Sequence, residues 1–445
     1  MHVPRRLFAF LAMLLLLSAC APLGSNSSDP GVVASPTQKA TTTINPTPTS
    51  NALAVCPASL SSDCRTPYDL RVAYSVQSLL ERGFTGKGQT IVDIVSYGSP
   101  TLQQDMDVFD QQFGLPPITI KIMSPLGTVP FAPNVKDMSG WAGETTLDVQ
   151  IIHAIAPDAG IVVLTSPVDE TEGTIGLPQF LQLEQYAITN HLGNIISQSF
   201  GASEVTLNDT AGKGKQEIQK WDAFFKQATT QQGITFFASS GDNGATDYAD
   251  LKATELSKTP TTSFPTDDSW VTSVGGTSLN RNGTAFQESV WNGSGGGFSS
   301  FFPTPSYQQS LPASVQNLLK NRRGVPDVAG NADPATGLAF YISDGGWNLA
   351  GGTSASAPLW AAFMAIADQM AGHPLGFINP ALYKLAASNA YAQDFNDITG
   401  GDNSISNSQV TVPGYLAMSG WDPVTGLGTP VLDKLLPDLI GTLRG

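Results

Sequence analysis

The sequence predicts an α/β fold built on a doubly wound, mostly parallel sheet with helices on both faces. Short apolar runs recur along the chain without the apolar–polar alternation of a half-exposed strand, so each reads as a strand covered on both sides. Between them lie longer segments with helical spacing, and repeated strand–helix alternation is the pattern of a parallel sheet. No internal repeat of roughly 20–50 residues points to a solenoid or propeller instead.

The predicted strands, in order, are TIVDIV (90–95), ITIKI (118–122), GIVVLT (160–165), NIISQS (194–199) and ITFFAS (234–239). Their Ile, Val, Thr and Phe content suits a pleated, buried surface. LPQFLQLEQYAITNHL (177–192) and GKGKQEIQKWDAFFKQATTQQ (212–232) fit the helices that cross between strands. WAGETTLDVQIIHAIAP (141–157) reads as an amphipathic helix with the stripe Leu147, Ile151, Ile152 and Ile155, ended by Pro157. Glu144 and Asp148 fall on that same stripe at i, i+4, while Thr145, Gln150 and His153 point elsewhere. His153 is therefore expected at the surface. Residues 351–358, Gly-Gly-Thr-Ser-Ala-Ser-Ala-Pro, open a last helical run, LWAAFMAIADQM.

The chain divides into three stretches. Residues 1–19 carry Arg5 and Arg6, an apolar run LFAFLAMLLLL, and the small-residue site Leu17-Ser18-Ala19, the layout of a signal peptide. Its apolar run is too short for a membrane span. Cys20 follows at once, and the segment resembles a bacterial lipoprotein signal, which implies lipidation of Cys20 and a membrane as partner. Residues 20–55 are Ser-, Thr-, Pro- and Asn-rich and predict a disordered tether, holding the body roughly 30–35 Å from its anchor. Residues 56–445 form the folded body, expected to be extracytoplasmic and monomeric. Only Cys56 and Cys64 remain there, most simply as one disulfide.

Composition narrows the function. Charged residues make up 13% of the chain, with 44 Gly and 31 Pro, as in a loop-rich secreted enzyme. A net charge of −15 excludes nucleic acid as a partner and suits an acidic milieu. Ser354 sits at a helix start, where unpaired backbone N–H groups favour a developing negative charge; a nucleophile or a simple N-cap would both fit there. Two acids on an apolar helix face are costly unless paired, protonated or used. Asp242 stands in a Gly-bounded loop after ITFFAS, at the carboxyl edge of the predicted sheet where ligands bind. A turn aspartate is the plainer reading of that residue.

Taken together, these segments resemble the sedolisin family of serine-carboxyl peptidases, relatives of subtilisin. GETTLDVQIIHAIAP resembles the family's Glu/Asp helix, SSGDNGA its oxyanion-aspartate loop, and GGTSASAP its serine motif. TPYDLRVAYSV (66–76), VGGTSL (274–279), GSGGGFSS (293–300) and VPDVAGNADPATG (325–337) match as well, so the resemblance covers residues 66–445. It implies a subtilisin-like fold and an acid-active endopeptidase that acts on protein or peptide substrates, with a tripeptidyl-peptidase as the alternative. Ser354 would be the nucleophile, Glu144 its base, Asp148 the residue that orients Glu144, and Asp242 a protonated donor to the oxyanion. Ser199, Phe200 and Gly201 would bind substrate backbone, with Phe200 where many relatives carry Trp. The segments DFNDITGG (394–401) and MSGWDPVTGLGTP (418–430) resemble the family's calcium loops. One structural Ca²⁺ would be held by the side chains of Asp397 and Asp422 and the carbonyls of Ile398, Met418 and Gly420. The family's large propeptide has only the tether in its place here, so we expect folding without one or with one supplied in trans.

Two rivals are weaker. An ordinary subtilisin-like protease needs a histidine base, yet His153, His191 and His373 lack the His-Gly-Thr context and His2 falls in the signal segment. A catalytically dead peptide-binding domain would gain nothing from keeping Ser354, Glu144, Asp148 and Asp242 together.

Overall fold

The computed structural model describes residues 55–60 and 64–444; the expected signal segment, Cys20 and the tether up to residue 54 lie outside them. A central sheet contains β1 (Thr90–Ser96), β2 (Lys121–Met123), β3 (Gly160–Ser166), β4 (Ile195–Gln198), β5 (Thr235–Ser239), β6 (Thr272–Asn282), β7 (Ala285–Val290) and β8 (Val328–Asn331). The order across the sheet is β8-β6-β5-β4-β1-β3-β2, with β7 folded back on β6. Every pairing along that path is parallel, and only the β6–β7 hairpin is antiparallel. The doubly wound, mostly parallel sheet is thus as predicted.

One predicted strand shifts. ITIKI contributes only its last two residues to β2, a short edge strand, and Ile122 lies exposed. An edge strand buries one face only, so the apolar run overstated its pairing.

Five helices frame the sheet: α1 (Leu102–Phe113), α2 (Lys136–Ile155), α3 (Leu177–Thr189), α4 (Lys213–Gln232) and α5 (Thr353–Ala371). α2 and α5 pack on each other, with α2 against β1 and α5 across β4, β5, β6 and β8. α3 packs against β1 and β3 and against α4. Because β1 is buried at nearly every position, both of its faces must be covered, and these two helix pairs supply the layers. α5 can be buried on all sides because alanines 355, 357, 361, 362, 365 and 367 keep it thin, and Gly372 ends it in the left-handed conformation. Each buried large apolar side chain there, such as Leu359, contributes roughly 1.5–3 kcal/mol.

α2 is not the amphipathic helix its spacing suggests. Thr145, Gln150 and His153 are fully buried along with the apolar stripe. α1, absent from the sequence reading, covers that second face. Gln150 donates to Tyr341 O (2.8 Å) and accepts from Tyr341 N (2.9 Å), while His153 Nε2 meets Pro116 O (2.9 Å) and Asp110 Oδ1 of α1 (3.2 Å). The surface expectation for His153 is corrected: it is fully buried, with Nε2 held by Pro116 and Asp110, and such a contact is hidden from periodicity.

Cys56 and Cys64 lie with Cα atoms 6.1 Å apart, within the span of a disulfide. Among the described residues, no helix is long and apolar enough to cross a membrane.

Candidate active site

The carboxyl ends of the central strands point toward one crevice, and α5 starts beneath it. Gly352 is the residue that caps α5, with φ +82° and no side-chain cap, so Ser354 lies inside the first turn with its hydroxyl unused for capping. The plain N-cap reading of Ser354 therefore does not hold. Pro358 lacks the N–H that would bond the Ser354 carbonyl four residues back. Ser199, just beyond β4, donates its hydroxyl to that freed carbonyl at 3.3 Å and to Asp148 Oδ1 at 3.1 Å.

α2 brings the carboxyls. Glu144 and Asp148 are buried one turn apart, and Ser354 lies near enough to act on the Glu144 carboxyl. Burial raises the Glu144 carboxyl well above the usual carboxylate range; the Ser354 hydrogen bond opposes this, and the charges of Asp242 and Asp93 add to it. Asp148 is raised too, by burial first and then by the neighbouring charges of Asp93 and Glu144. Ser199 donates to its Oδ1, and the Asp93 and Glu144 carboxyls act on it as neighbouring acids. Asp148 thus stands between two acids, Asp93 and Glu144, and can bond either of them only when one of that pair carries a proton.

The loop after β5 brings Asp242 to the same crevice. Its Oδ1 accepts from Thr353 N (2.6 Å) and from Thr353 Oγ1 (2.9 Å), and that hydroxyl in turn accepts from Gly241 N (3.0 Å). Oδ2 takes no such bond and stands where a Cβ on residue 352 would be, 2.4 Å away. Gly352 is required twice over, by its positive φ and by Asp242. Surrounding protein raises the Asp242 carboxyl even though the residue is open to solvent, which tempers that rise. The arrangement leaves one carboxyl oxygen free to hold a proton beside Gly352, at the start of α5.

Among the described residues, no histidine reaches this site. His153 is committed to Asp110 and Pro116, and His191 and His373 are exposed. Of the predicted backbone-binding residues, Ser199 joins the carboxyl network. Phe200 turns into the core, its ring 4.4 Å from that of Phe180, so only its main chain is available. Gly201 follows at the crevice wall, 3.2 Å separating an added Cβ from Phe264 O. Asp93 was missed by sequence reasoning. The signal was an acid inside the apolar run TIVDIV, where a buried charge demands an explanation.

The two C-terminal loops meet away from this crevice. Asp397 accepts from Gly420 N (3.0 Å to Oδ2) and Ser419 Oγ (3.0 Å), while the buried Asp422 accepts from Met418 N, Val424 N and Thr425 N. Ile398 is buried beside Asp397. Among the described residues, no group of three or more His, Cys, Asp or Glu side chains could hold a metal.

A family model described as "Subtilase family" matches residues 136–384. Kumamolisin of Bacillus sp. (strain MN-32) is 34% identical over 386 residues, covering 84% of this chain and 63% of kumamolisin. Tripeptidyl-peptidase 1 of Canis lupus familiaris is 32% identical over 319 residues, covering 68% of this chain and 52% of that protein. The chain therefore spans between about half and two thirds of the curated relatives it matches. Among solved structures, Pseudomonas sedolisin, a serine-carboxyl proteinase complexed with two molecules of pseudo-iodotyrostatin, superposes with a TM-score of 0.69 at 26% identity, covering 83% of this chain and 96% of that one.

Proposed function

The chain belongs to the subtilase family, and on that premise we propose that it is a serine-carboxyl endopeptidase of the sedolisin type, hydrolysing protein or peptide substrates. The observation that carries the proposal is that Ser354, at the start of α5, acts on the buried Glu144 of α2 in a site that no histidine of the described residues reaches. Ser354 Oγ attacks the scissile carbonyl carbon and its proton passes to Glu144. The negative charge on the carbonyl oxygen is met by the Ser354 N–H and a proton on Asp242 Oδ2. A carboxylic acid kept neutral by its surroundings serves as such a donor. Glu144 then protonates the leaving amine, the C–N bond breaks, and an acyl-Ser354 ester remains. Water repeats the sequence, giving its proton to Glu144 and its oxygen to the product acid.

The mechanism needs one ionised carboxyl at Glu144 and a proton on Asp242 together. The rise at Asp242 keeps its proton through moderate acidity, whereas the rise at Glu144 limits its ionised form. Glu144 protonation therefore bounds the competent state on the acid side, and Asp242 ionisation bounds it above. Hydrolysis of a quenched peptide with a blocked N-terminus, followed from about pH 3 to 8, is expected to peak on the acid side of neutrality. A maximum above neutrality would sink the Asp242 role, and cleavage confined to peptides with a free N-terminus would favour tripeptidyl release.

We further propose one structural Ca²⁺ at the C-terminal loops. Its support is chemical: Asp422 is fully buried, its carboxyl pushed up to about 7 by burial, and no ion pair among the described residues includes it. Asp397 lies close enough for both acids to act on the Tyr391 hydroxyl. Two carboxylates with the carbonyls of Ile398, Met418 and Gly420 form a hard oxygen set that suits this cation. The ion would neutralise that pair and pin the loops, taking no part in hydrolysis. EDTA is expected to lower Tm by several degrees, and added Ca²⁺ to restore it. An unchanged Tm would remove the ion from the scheme.

A further inference from the structure

Behind Asp148 lies a carboxyl that the proposed hydrolysis does not use. Asp93 sits in the interior strand β1, fully buried, and neither of its oxygens accepts from any N–H or hydroxyl. Its register neighbour on β4 is Ser197, whose hydroxyl is also without a partner. Two residues on, Ser199 reaches Asp148, so by strand alternation this is the sheet face under α2. Asp148 of α2 stands over this same face, its Oδ1 accepting from Ser199 (3.1 Å); no N–H or hydroxyl donates to its Oδ2, and the Asp93 and Asp148 carboxyls act on each other. Two such groups can bond only with a proton between them.

The other groups around Asp93 are few. Glu144, also from α2, is the second acid within reach, and the charge of Asp93 raises it. α5 contributes Ser354, and its one acid, Asp368, lies near the opposite end of that helix. Glu184 of α3 is perturbed by burial alone. β3 and β4 bring Val163 and Ser197 alongside. No ion pair among the described residues includes Asp93, Asp148 or Glu144.

We propose that Asp93 is a positioning residue of this carboxyl chain: it shares one proton with Asp148, so that the pair acts as a single anion behind Glu144. The proposal rests on the peptidase reading above. Alone, a buried Asp148 beside Glu144 would take up a proton and become neutral. Sharing one with Asp93 keeps exactly one negative charge in place, titrating as a property of the pair. That charge makes Glu144 a stronger base and holds Asp148 ready to accept from Glu144 once the Ser354 proton has arrived.

The test compares Asp93→Leu with Asp93→Asn in the full chain. Leu removes the proton partner, so Asp148 neutralises and Glu144 loses its negative neighbour. The acid-side limb of kcat/KM is then expected to move about one pH unit lower, a tenfold change in that ionisation, and the maximal kcat to fall roughly tenfold. Asn can donate its amide N–H to Asp148, so its limb and kcat are expected to stay near wild type. Tm of Asp93→Leu is expected to hold or rise, because an apolar side chain replaces a buried acid. A wild-type limb and kcat in Asp93→Leu would overturn the proposal, as would equal losses in both variants with a lowered Tm. An arm without turnover uses the Ser354→Ala background, where Asp93→Asn is expected to remove one component of the protonated-carboxyl infrared band. An unchanged band would also overturn the shared proton. If Ser354→Ala leaves hydrolysis intact, the peptidase reading fails while the infrared arm still decides this one.

Discussion

Ser354→Ala is expected to lower kcat for peptide hydrolysis by roughly 10³-fold or more while leaving the fold intact, and Glu144→Gln to do the same. The two losses share a cause. Ser354 supplies the electron pair and Glu144 removes the proton that would otherwise stop the attack. With either gone, only binding and oxyanion stabilisation by Asp242 and the Ser354 N–H remain. The double variant is therefore expected to be hardly worse than either single one, because groups acting as a unit do not lose activity additively. Ser354 is only half-buried and its hydroxyl caps nothing, so its removal leaves the packing of α5 untouched. Gln keeps the shape of Glu144 and can still accept from Ser354, but it cannot take the proton. Single-turnover hydrolysis measured beside Tm separates chemistry from folding. Either single variant retaining a tenth of wild-type kcat at unchanged Tm would rule out the assigned roles.

The sheet and the candidate carboxyl pair were legible in the sequence for different physical reasons. A strand buried on both faces must be apolar throughout, so TIVDIV, GIVVLT and ITFFAS declare themselves without partners. Glu144 and Asp148 stood out because acids on an apolar helix face are expensive, and that cost is written in spacing alone. His153 was misplaced by the same logic: spacing records which residues are apolar, whereas a polar side chain satisfied by α1 leaves no trace in it. The hydrogen bonding of Asp148 was out of reach as well. It depends on Asp93 and Ser199, 55 and 51 residues away along the chain, and such contacts exist only once β1 and β4 lie side by side. The helix start at Ser354 was visible, but that Gly352 would cap it and Pro358 would free its carbonyl for Ser199 needed coordinates.

The folded state itself is expected to lose stability steeply between about pH 4 and pH 8. Several acids outside the proposed catalytic set are buried, and no ion pair among the described residues includes them. Glu170 and Glu184 have both carboxyl oxygens unpartnered and are raised by burial, Glu170 also by Glu172, Asp169 and Asp247. Burial lifts Glu172 to about 8 and Asp368 to about 7, and Asp267 is raised by burial and by the adjacent Glu204. In the unfolded chain such groups titrate near the ordinary carboxylate value of about 4. A carboxyl whose folded pKa is raised binds more protons in the native state, so its contribution is complete below the unfolded value and is lost as pH climbs through the folded one. Each tenfold change in ionisation is about 1.4 kcal/mol. A few such groups together therefore outweigh a typical margin of roughly 5–15 kcal/mol unless they relax into water. At fixed Ca²⁺, Tm is expected to fall by at least about 10 °C from pH 4.5 to pH 8. Glu170→Gln and Glu184→Gln are expected to flatten that fall, since an amide keeps the shape and cannot ionise. Equal Tm at both pH values would mean that these acids find counter-charge or water at neutral pH. A steep fall would make acid the condition under which the fold, and not merely its chemistry, is at home.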